Sequence, residues 1–512
     1  MKHAKQVLLL IAAVVALTAI PAGSASALVP VPIPGDNLGI VVPGFDGSPA
    51  TAKRLKANNV PTHPFMAPNG KSNIHGDAWQ TDTYSTPGPL GSWTTVNSTL
   101  QAAECASVAF DAKGRIVSVC VGLTSPKLVL LDPNNLRELA SHVLPARQND
   151  GGLFGSFTDF SGGGYFFLDH QDRAVVPTSD RRIQIFSVRT SLFGPSFRRD
   201  ADYDLAPFVA ADDQIVAVMP DWSGRIWFVS RKGAVGNVNP TSGAVKVFDT
   251  GERIGNSFAV DETGGVFVVT DAALYRFDAD GNGAPTVAWR EAYPNTGAQK
   301  PGQTQAGSGT TPTLMNDGLV AITDNADPIN VAVFKRDAVA AGDREICSQP
   351  VFSAGASATD QSLIAVDNSL VAENNYGYDG LDATLLGKTT RPGITKLTVD
   401  ADNGDCSVDW TSNEISPSAV PKVSTATGLI YTYTKPARND LLNAWYFTAI
   451  DFCTGETKFR RLAGTGSLYN NNFSPVTLAP DGDAYVGVIG GLVRIADLFK
   501  PTGASSNAAP AC

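Results

Sequence analysis

"GTTPTLMNDGLVAITDNADPINVAVFK", residues 309–335, alternates short apolar runs with turn residues. "TLM" and "LVAIT" flank the tight "NDG" turn, and "INVAVFK" follows a polar knot. These runs are too short for helices and rich in β-branched residues, so each reads as a strand. Asp324, Asn325 and Asp327 crowd the knot. Loop residues of this kind usually bond their own backbone, as in Asx-turns. Three together also present the hard oxygen atoms that a cation or a polar ligand takes.

The same strand–turn–strand unit recurs on both sides of this stretch, from "VAFDAKGRIVSVCV" (108–121) to "VTLAPDGDAYVGVI" (476–489). Its turns are marked by Asp111, Asp169, Asp221, Asp261, Asn316, Asp367, Thr425 and Asp481, which lie 40 to 58 residues apart. Third and fourth strands follow each unit, as in "KLVLLDPNNLRELASHV" (127–143). Four strands per repeat at this period predict an all-β β-propeller, here with eight blades, seven being the alternative count. The eighth unit ends after its third strand, at "GGLVRIADL" (490–498). A strand from "TDTYSTPGPLGSWTTV" (81–96) is expected to complete it, which removes both open edges of the ring. The expected organisation is an arm and closing strand over 28–96, a propeller over 97–497 and a tail over 498–512.

Residues 1–27 read separately. Lys2, His3 and Lys5 precede the apolar core "QVLLLIAAVVALTAI", and "PAGSASA" ends in small residues, so cleavage is expected after Ala27. The apolar run is too short for a good membrane span, and a secreted or otherwise extracytoplasmic chain without membrane insertion is expected. Without Lys2 and Lys5, the 39 basic residues become 37 against 49 acidic, a net charge of −12. That balance, with no basic cluster, disfavours nucleic acid and anionic membranes as partners. Six Cys with no C-x-x-C spacing point to disulfides in an oxidising compartment. Cys105 and Cys120 lie symmetrically about the "DAKG" turn and face one another across one hairpin. Cys347, Cys406 and Cys453 all fall near third-to-fourth turns, and the tail ending at Cys512 leaves on that side. Cys347–Cys406 and Cys453–Cys512 are therefore favoured, out of fifteen formal connectivities.

"AIDFCTGETKF" (449–459) resembles the A-x-D-x-x-T-G-x-x-x-W docking motif of quinoprotein-type propellers, with Phe459 in place of the family's Trp. "NPTSGAVKVF" (239–248) and "DADNGDCSVDW" (400–410) are weaker versions. The resemblance implies a Trp packed between neighbouring blades. It also implies an oxidoreductase that binds pyrroloquinoline quinone beside a Ca²⁺ held by Glu, Asn and Asp side chains. Glu373, Asn374 and Asp324 are chemically suited to that role, although no motif aligns them one by one. The vicinal cysteine pair and haem motif found in many such dehydrogenases are missing from this sequence.

Candidate site residues sort by face. In a four-stranded blade, second-to-third loops and blade-to-blade connections emerge on one side, here called the loop face. The knot, "ENNYGYDGLDATLLGKTTRPG" (373–393), "KPARNDLLNAW" (435–445) and "GSLYNNNFSP" (466–475) all belong to it, over blades 5 to 8. Long loops on one face of a rigid scaffold are where sites are built. The candidates are Asp324, Asn325, Asp327, Glu373, Asn374, Asn375, Tyr378 and the run Tyr469, Asn470, Asn471 and Asn472, with Ca²⁺ as their cation. Lys435 and Arg438 suit a carboxylate or other anion. A second candidate is "THPFMAPNGKSNIHGDAW" (62–79), an arm expected to fold over the propeller mouth with His63 or His75 as a metal ligand or proton-transfer group. No G-x-S-x-G, H-E-x-x-H or P-loop motif occurs. The expected functions are binding of a polar small molecule, sugar or polymer, the quinone-dependent oxidoreductase, a hydrolase or lyase, and a protein-interaction platform.

Overall fold

A computed structural model describes residues 29–36, 38–101, 103–122, 125–147, 161–505, 507 and 510–512. The proposed leader, residues 1–27, lies outside the described residues. Eight sheets stand around one axis, with blades spanning 103–143, 167–204, 215–249, 259–292, 313–350, 364–412, 422–465 and 476–496. Each blade is an antiparallel meander. Its first three strands are mostly buried, and its fourth is largely open to solvent, as in Ala103–Phe110 against Glu138–Val143 of blade 1. The reason is position: inner strands are covered by a neighbouring blade on each face, so continuous apolar runs are satisfied there. The outer strand meets solvent on its edge.

The last blade is closed by Thr95–Leu100, which pairs antiparallel with Gly491–Ala496 as its fourth strand. The closing strand begins where the expected window ends. Pro87 and Pro89 stand in that window, where a proline cannot donate to a ladder. Thr83–Tyr84 pairs instead in parallel with Val423–Ser424, the innermost strand of blade 7. Phe45–Gly47 adds a further strand to the outer edge of the same blade.

Outer-strand aromatics bridge blades. Trp410 of blade 6 donates from Nε1 to the Phe452 carbonyl of blade 7 at 3.1 Å, and a Cβ on Gly455 would sit 2.6 Å from its ring. Phe248 of blade 3 meets Phe277 of blade 4 at 5.5 Å between centroids. Phe459 is fully buried against Phe45 and Phe447.

Three disulfides join Cys105–Cys120, Cys347–Cys406 and Cys453–Cys512. The second ties the outer strands of blades 5 and 6, and the third holds the tail to blade 7. Cys105–Cys120 clamps the inner hairpin of blade 1 across a separation of 15 residues. Cross-linking a loop of that length restricts the unfolded chain by about 3 kcal/mol. The double Cys105→Ser/Cys120→Ser variant is expected to lose that amount in guanidinium unfolding, and a loss below about 1 kcal/mol would refute the chain-entropy account.

Candidate functional site

The arm does not lie over the mouth. Residues 67–84 run inside the ring, where the carbonyls of Lys71, Ala78, Trp79, Thr81 and Asp82 accept from Phe110, Val260, Leu314, Ala365 and Val423. These acceptors serve the innermost strands of blades 1, 4, 5, 6 and 7. Ala67 N–H donates to the Leu168 carbonyl of blade 2. The Gln80 amide reaches Met219 of blade 3. The innermost strands offer unpaired backbone groups to the axis, and an extended segment satisfies them in turn. The axis is thereby closed from the side of the first-to-second turns.

The arm carries a buried charge network with it. Asp82, in the left-handed region at φ 56°, turns its carboxylate inward, and Lys422 from the innermost strand of blade 7 pairs with Oδ1. His75 Nδ1–H donates to Asp82 Oδ1 at 2.9 Å, since a carboxylate only accepts. Ser362 Oγ lies 3.0 Å from the same nitrogen and donates to Asp82 Oδ2 at 2.7 Å. Burial pushes the Asp82 carboxyl up, but the adjacent His75 and Lys422 together bring it below its ordinary range. Burial lowers His75, which stays a neutral imidazole with its free lone pair on Nε2. Nε2 has no partner among the described residues. This is not a hydrolase triad, because there the serine sits on Nε2 and the carboxylate on Nδ1.

Beyond His75, toward the loop face, lies an axial cavity of about 30 Å³. Its walls include Ser107, Tyr165, Asn256, Thr311, Asp360 and Phe473, drawn from connections and first strands around the ring. Tyr165 donates to Asn256 Oδ1 at 3.2 Å and stacks on the His75 ring at 6.4 Å. Asp360 Oδ2 accepts from Thr304 N–H at 3.1 Å, whereas its buried Oδ1 has no partner among the described residues. Burial pushes this carboxyl up to about 7. His75 and Asp360 thus both line the cavity, and among the described residues His75 Nε2 and Asp360 Oδ1 have no hydrogen-bond partner.

The loop-face candidates fall into two groups. Asn375 accepts from Asp360 N–H at 3.0 Å and donates to Glu373 Oε1 at 3.1 Å, so the pair backs the cavity wall. Glu373 Oε2 also accepts from Thr432, and burial raises its carboxyl well above the usual range. The Tyr378 hydroxyl lies 3.0 Å from Oδ1 of both Asn470 and Asn472, with its ring edge-on to Phe473. Asn472 Nδ2 and Ser474 Oγ donate to Glu104 of blade 1, whose carboxyl burial pushes up to about 8. These side chains form a cap beside the axis.

The others serve the scaffold. Asp324 accepts from Ala326 N–H at 3.0 Å, from Asn330 N–H at 2.7 Å and from Asn330 Nδ2 at 2.5 Å, the self-bonded knot. Asn325 reaches Asn295 and Ala298, and Asp327 accepts from Gly355 N–H. Asn374 bonds only backbone, at Ala356, Pro392, Ala358 and Tyr376. Asn471 donates to the Ser474 carbonyl, and Tyr469 to the Ile33 carbonyl. Lys435 donates to the Lys388 carbonyl, with burial bringing its ammonium down to about 8, and Arg438 pairs with Asp440. His63 lies under blades 2 and 3 on the opposite face, its ring 3.9 Å from that of Trp222, and burial brings it down to about 4.

Among the described residues, no three His, Cys, Asp or Glu side chains gather as a metal site. Asp324, Glu373 and Asn374 do not fit a Ca²⁺ cage, because their acceptors are engaged by separate segments of the chain. The quinone does not fit either. A cavity of about 30 Å³ takes water-sized groups, and the arm occupies the axis where a planar tricycle would need a slot.

Sequence reasoning missed Asp82, Asp360, Ser362 and Lys422. Their signal was a polar residue inside or just before an innermost strand, as in "TDQSLIAV" and "PKVST".

No family model matches the chain. It is 30% identical over 324 residues to an uncharacterised protein of Archaeoglobus fulgidus, an alignment that takes in 56% of this chain and spans 62% of that relative's length. Among solved structures it is similar to one described as streptogramin B lyase, at 10% identity and a TM-score of 0.38, with 79% of this chain and 98% of that one covered. It is also similar to the WD40 β-propeller domain of Doa1, at 12% identity and a TM-score of 0.36, with 63% and 88% covered. Likenesses this weak carry no argument about activity, and the fold rests on the sheet topology alone.

Proposed function

We propose that this chain is an exported propeller whose axial cavity receives the polar end of a small molecule or polymer. The observation that carries the reading is that two residues lining one cavity, His75 and Asp360, each keep a buried polar atom without a partner among the described residues. Buried polar groups are nearly always bonded, so two orphans in one small space mark a place for a donor-bearing group. The volume limits that group to roughly a hydroxyl or a carboxylic acid in size. Export is supported by the leader-like residues 1–27 and by three disulfides, which persist in oxidising compartments. No described helix is long and apolar enough to cross a membrane.

A second reading is proton transfer. Asp82 holds His75 with its Nε2 lone pair free, the arrangement a general base needs, and Asp360 supplies an acid across the cavity. The docking-motif resemblance and Trp410 favour a quinone-dependent reading, but the arm occupies the axis that the cofactor would need.

Binding is tested by calorimetric titration with monosaccharides, uronic acids and short hydroxy acids. Asp360→Asn is isosteric and is expected to weaken a hit by about tenfold, as for a lost buried hydrogen bond, with unfolding temperature little changed. A panel without a binder, or a binder indifferent to Asp360→Asn, removes the reading.

A further inference from the structure

The turn that carries Phe473 is built against its own sequence. Ser474 N–H donates to the Asn471 carbonyl at 2.8 Å, and the two residues between, Asn472 and Phe473, have φ 40° and 68°. Positive φ at both central positions is the pattern of a type I′ turn, which Gly, Asn and Asp accept. Asn472 suits its place. Phe473 does not, because in the left-handed region the Cβ of a bulky residue crowds the following carbonyl oxygen. Gly is favoured at that position of such a turn, so the ring is kept against the preference of the backbone. Strain of this kind collects where a side chain is needed for a ligand.

The turn is also held in place. Asn472 Nδ2 and Ser474 Oγ donate to the two Glu104 oxygens of blade 1, at 3.0 and 2.6 Å. Asn472 N–H donates to Asn470 Oδ1 at 2.9 Å, and the Phe473 ring stands edge-on to Tyr378 of the blade 6 loop, 5.2 Å between centroids. Asn472 and Ser474 are buried, whereas Phe473 between them is partly exposed and lines the axial cavity. Of the described residues lining that cavity, only Tyr165, Asp360 and Phe473 are less than fully buried, so its opening lies among them.

A rigid aromatic ring at the edge of a polar cavity selects the shape of a ligand. Its electron-rich face attracts C–H groups. The cavity, about 30 Å³, takes about two water-sized groups. Two of its residues, His75 and Asp360, each keep a buried polar atom without a partner among the described residues. Two adjacent hydroxyls on a saturated ring meet both conditions, since each hydroxyl donates to one atom while the C–H face lies on the aromatic ring. An aromatic alcohol offers a single hydroxyl, and an acyclic polyol has no flat face.

We propose that Phe473 is the stacking platform of the axial site and that the ligand is a carbohydrate, which enters with two adjacent hydroxyls of a pyranose ring. This rests on the axial cavity being the binding site, and adds to it the class of ligand and the residue that selects it.

Calorimetric titration of the full mature chain with the methyl pyranosides of glucose, galactose and mannose tests this, with sorbitol and benzyl alcohol as controls. At least one pyranoside is expected to bind more tightly than either control. Phe473→Gly is expected to weaken that pyranoside about tenfold, and Phe473→Tyr, which keeps a ring, to stay within about threefold of the parent. Gly also relieves the turn, so the unfolding temperature of Phe473→Gly is expected to equal or exceed that of the parent. A residue kept only for packing would lower it. A pyranoside weakened by Asp360→Asn but not by Phe473→Gly overturns the platform and leaves the axial cavity as the site. Tighter binding of sorbitol or benzyl alcohol than of every pyranoside, or a lower unfolding temperature for Phe473→Gly, also overturns the platform. A panel in which nothing binds overturns both the platform and the axial reading beneath it.

Discussion

Asp82→Ala is expected to destabilise the protein by about 3–5 kcal/mol, the usual cost of breaking a buried ion pair from one side. The substitution leaves the Lys422 ammonium fully buried without its counter-charge and removes the acceptor for His75 and Ser362. Those partners come from the arm, blade 6 and blade 7, so the loss is felt across the ring rather than in one turn. Lys422→Met differs in kind. It removes the buried cation and leaves Asp82 beside His75; burial still holds the imidazole down, but the Lys422 charge no longer opposes its protonation, so its pKa moves up. The Lys422→Met loss is therefore expected to be smaller at acid pH and to grow as pH rises through the new His75 pKa. Urea unfolding of both variants at about pH 5.5 and about pH 8 checks the contrast. Equal losses at both pH values for Lys422→Met would sink the account of the network.

The second large effect is alkaline weakening. Burial, opposed by bonds from Ser474 and Asn472, raises the Glu104 carboxyl to about 8. Asp77 and Asp360 are raised to about 7 by burial, and Glu373 is raised well above the usual carboxyl range by the same cause. In each, the folded state keeps a proton that the unfolded chain has released. Stability is full below the unfolded carboxyl pKa and falls as pH rises toward the folded one. For Glu104 the loss is roughly 4 kcal/mol by pH 8. Glu104→Gln keeps an acceptor for one neighbour, carries no charge, and is expected to flatten the pH dependence between about 5 and 8 while costing little at pH 5. Guanidinium midpoints measured across that range decide the matter. A profile that rises with pH, or an unaltered slope in Glu104→Gln, contradicts it.

The knot at 324–327 shows how far local reasoning reaches. Its residues bond their own loop, which is what Asn and Asp do in turns wherever they occur. His75 shows where it stops. Its spacing in the arm indicates nothing about Asp82, Ser362 and Lys422 meeting around Nδ1, because Ser362 and Lys422 lie 287 and 347 residues further along the chain. The closing strand was misplaced by several residues for a related reason: "TVNSTL" and the window before it are both extended, and only the ladder with Gly491–Ala496 selects between them.

The sheet topology chose eight blades over seven, and the structure selected Cys347–Cys406 and Cys453–Cys512 among the formal connectivities. The sequence by itself determined the blades, the loop face and the Cys105–Cys120 pair. Each depends on a period or a turn within some sixty residues, where side-chain pattern and backbone preference act locally. Tertiary structure alone decided that the arm enters the ring and that the site lies on the axis. Innermost strands converge there from every blade, and the unpaired backbone groups and buried charges they bring must be satisfied by whichever segment reaches them.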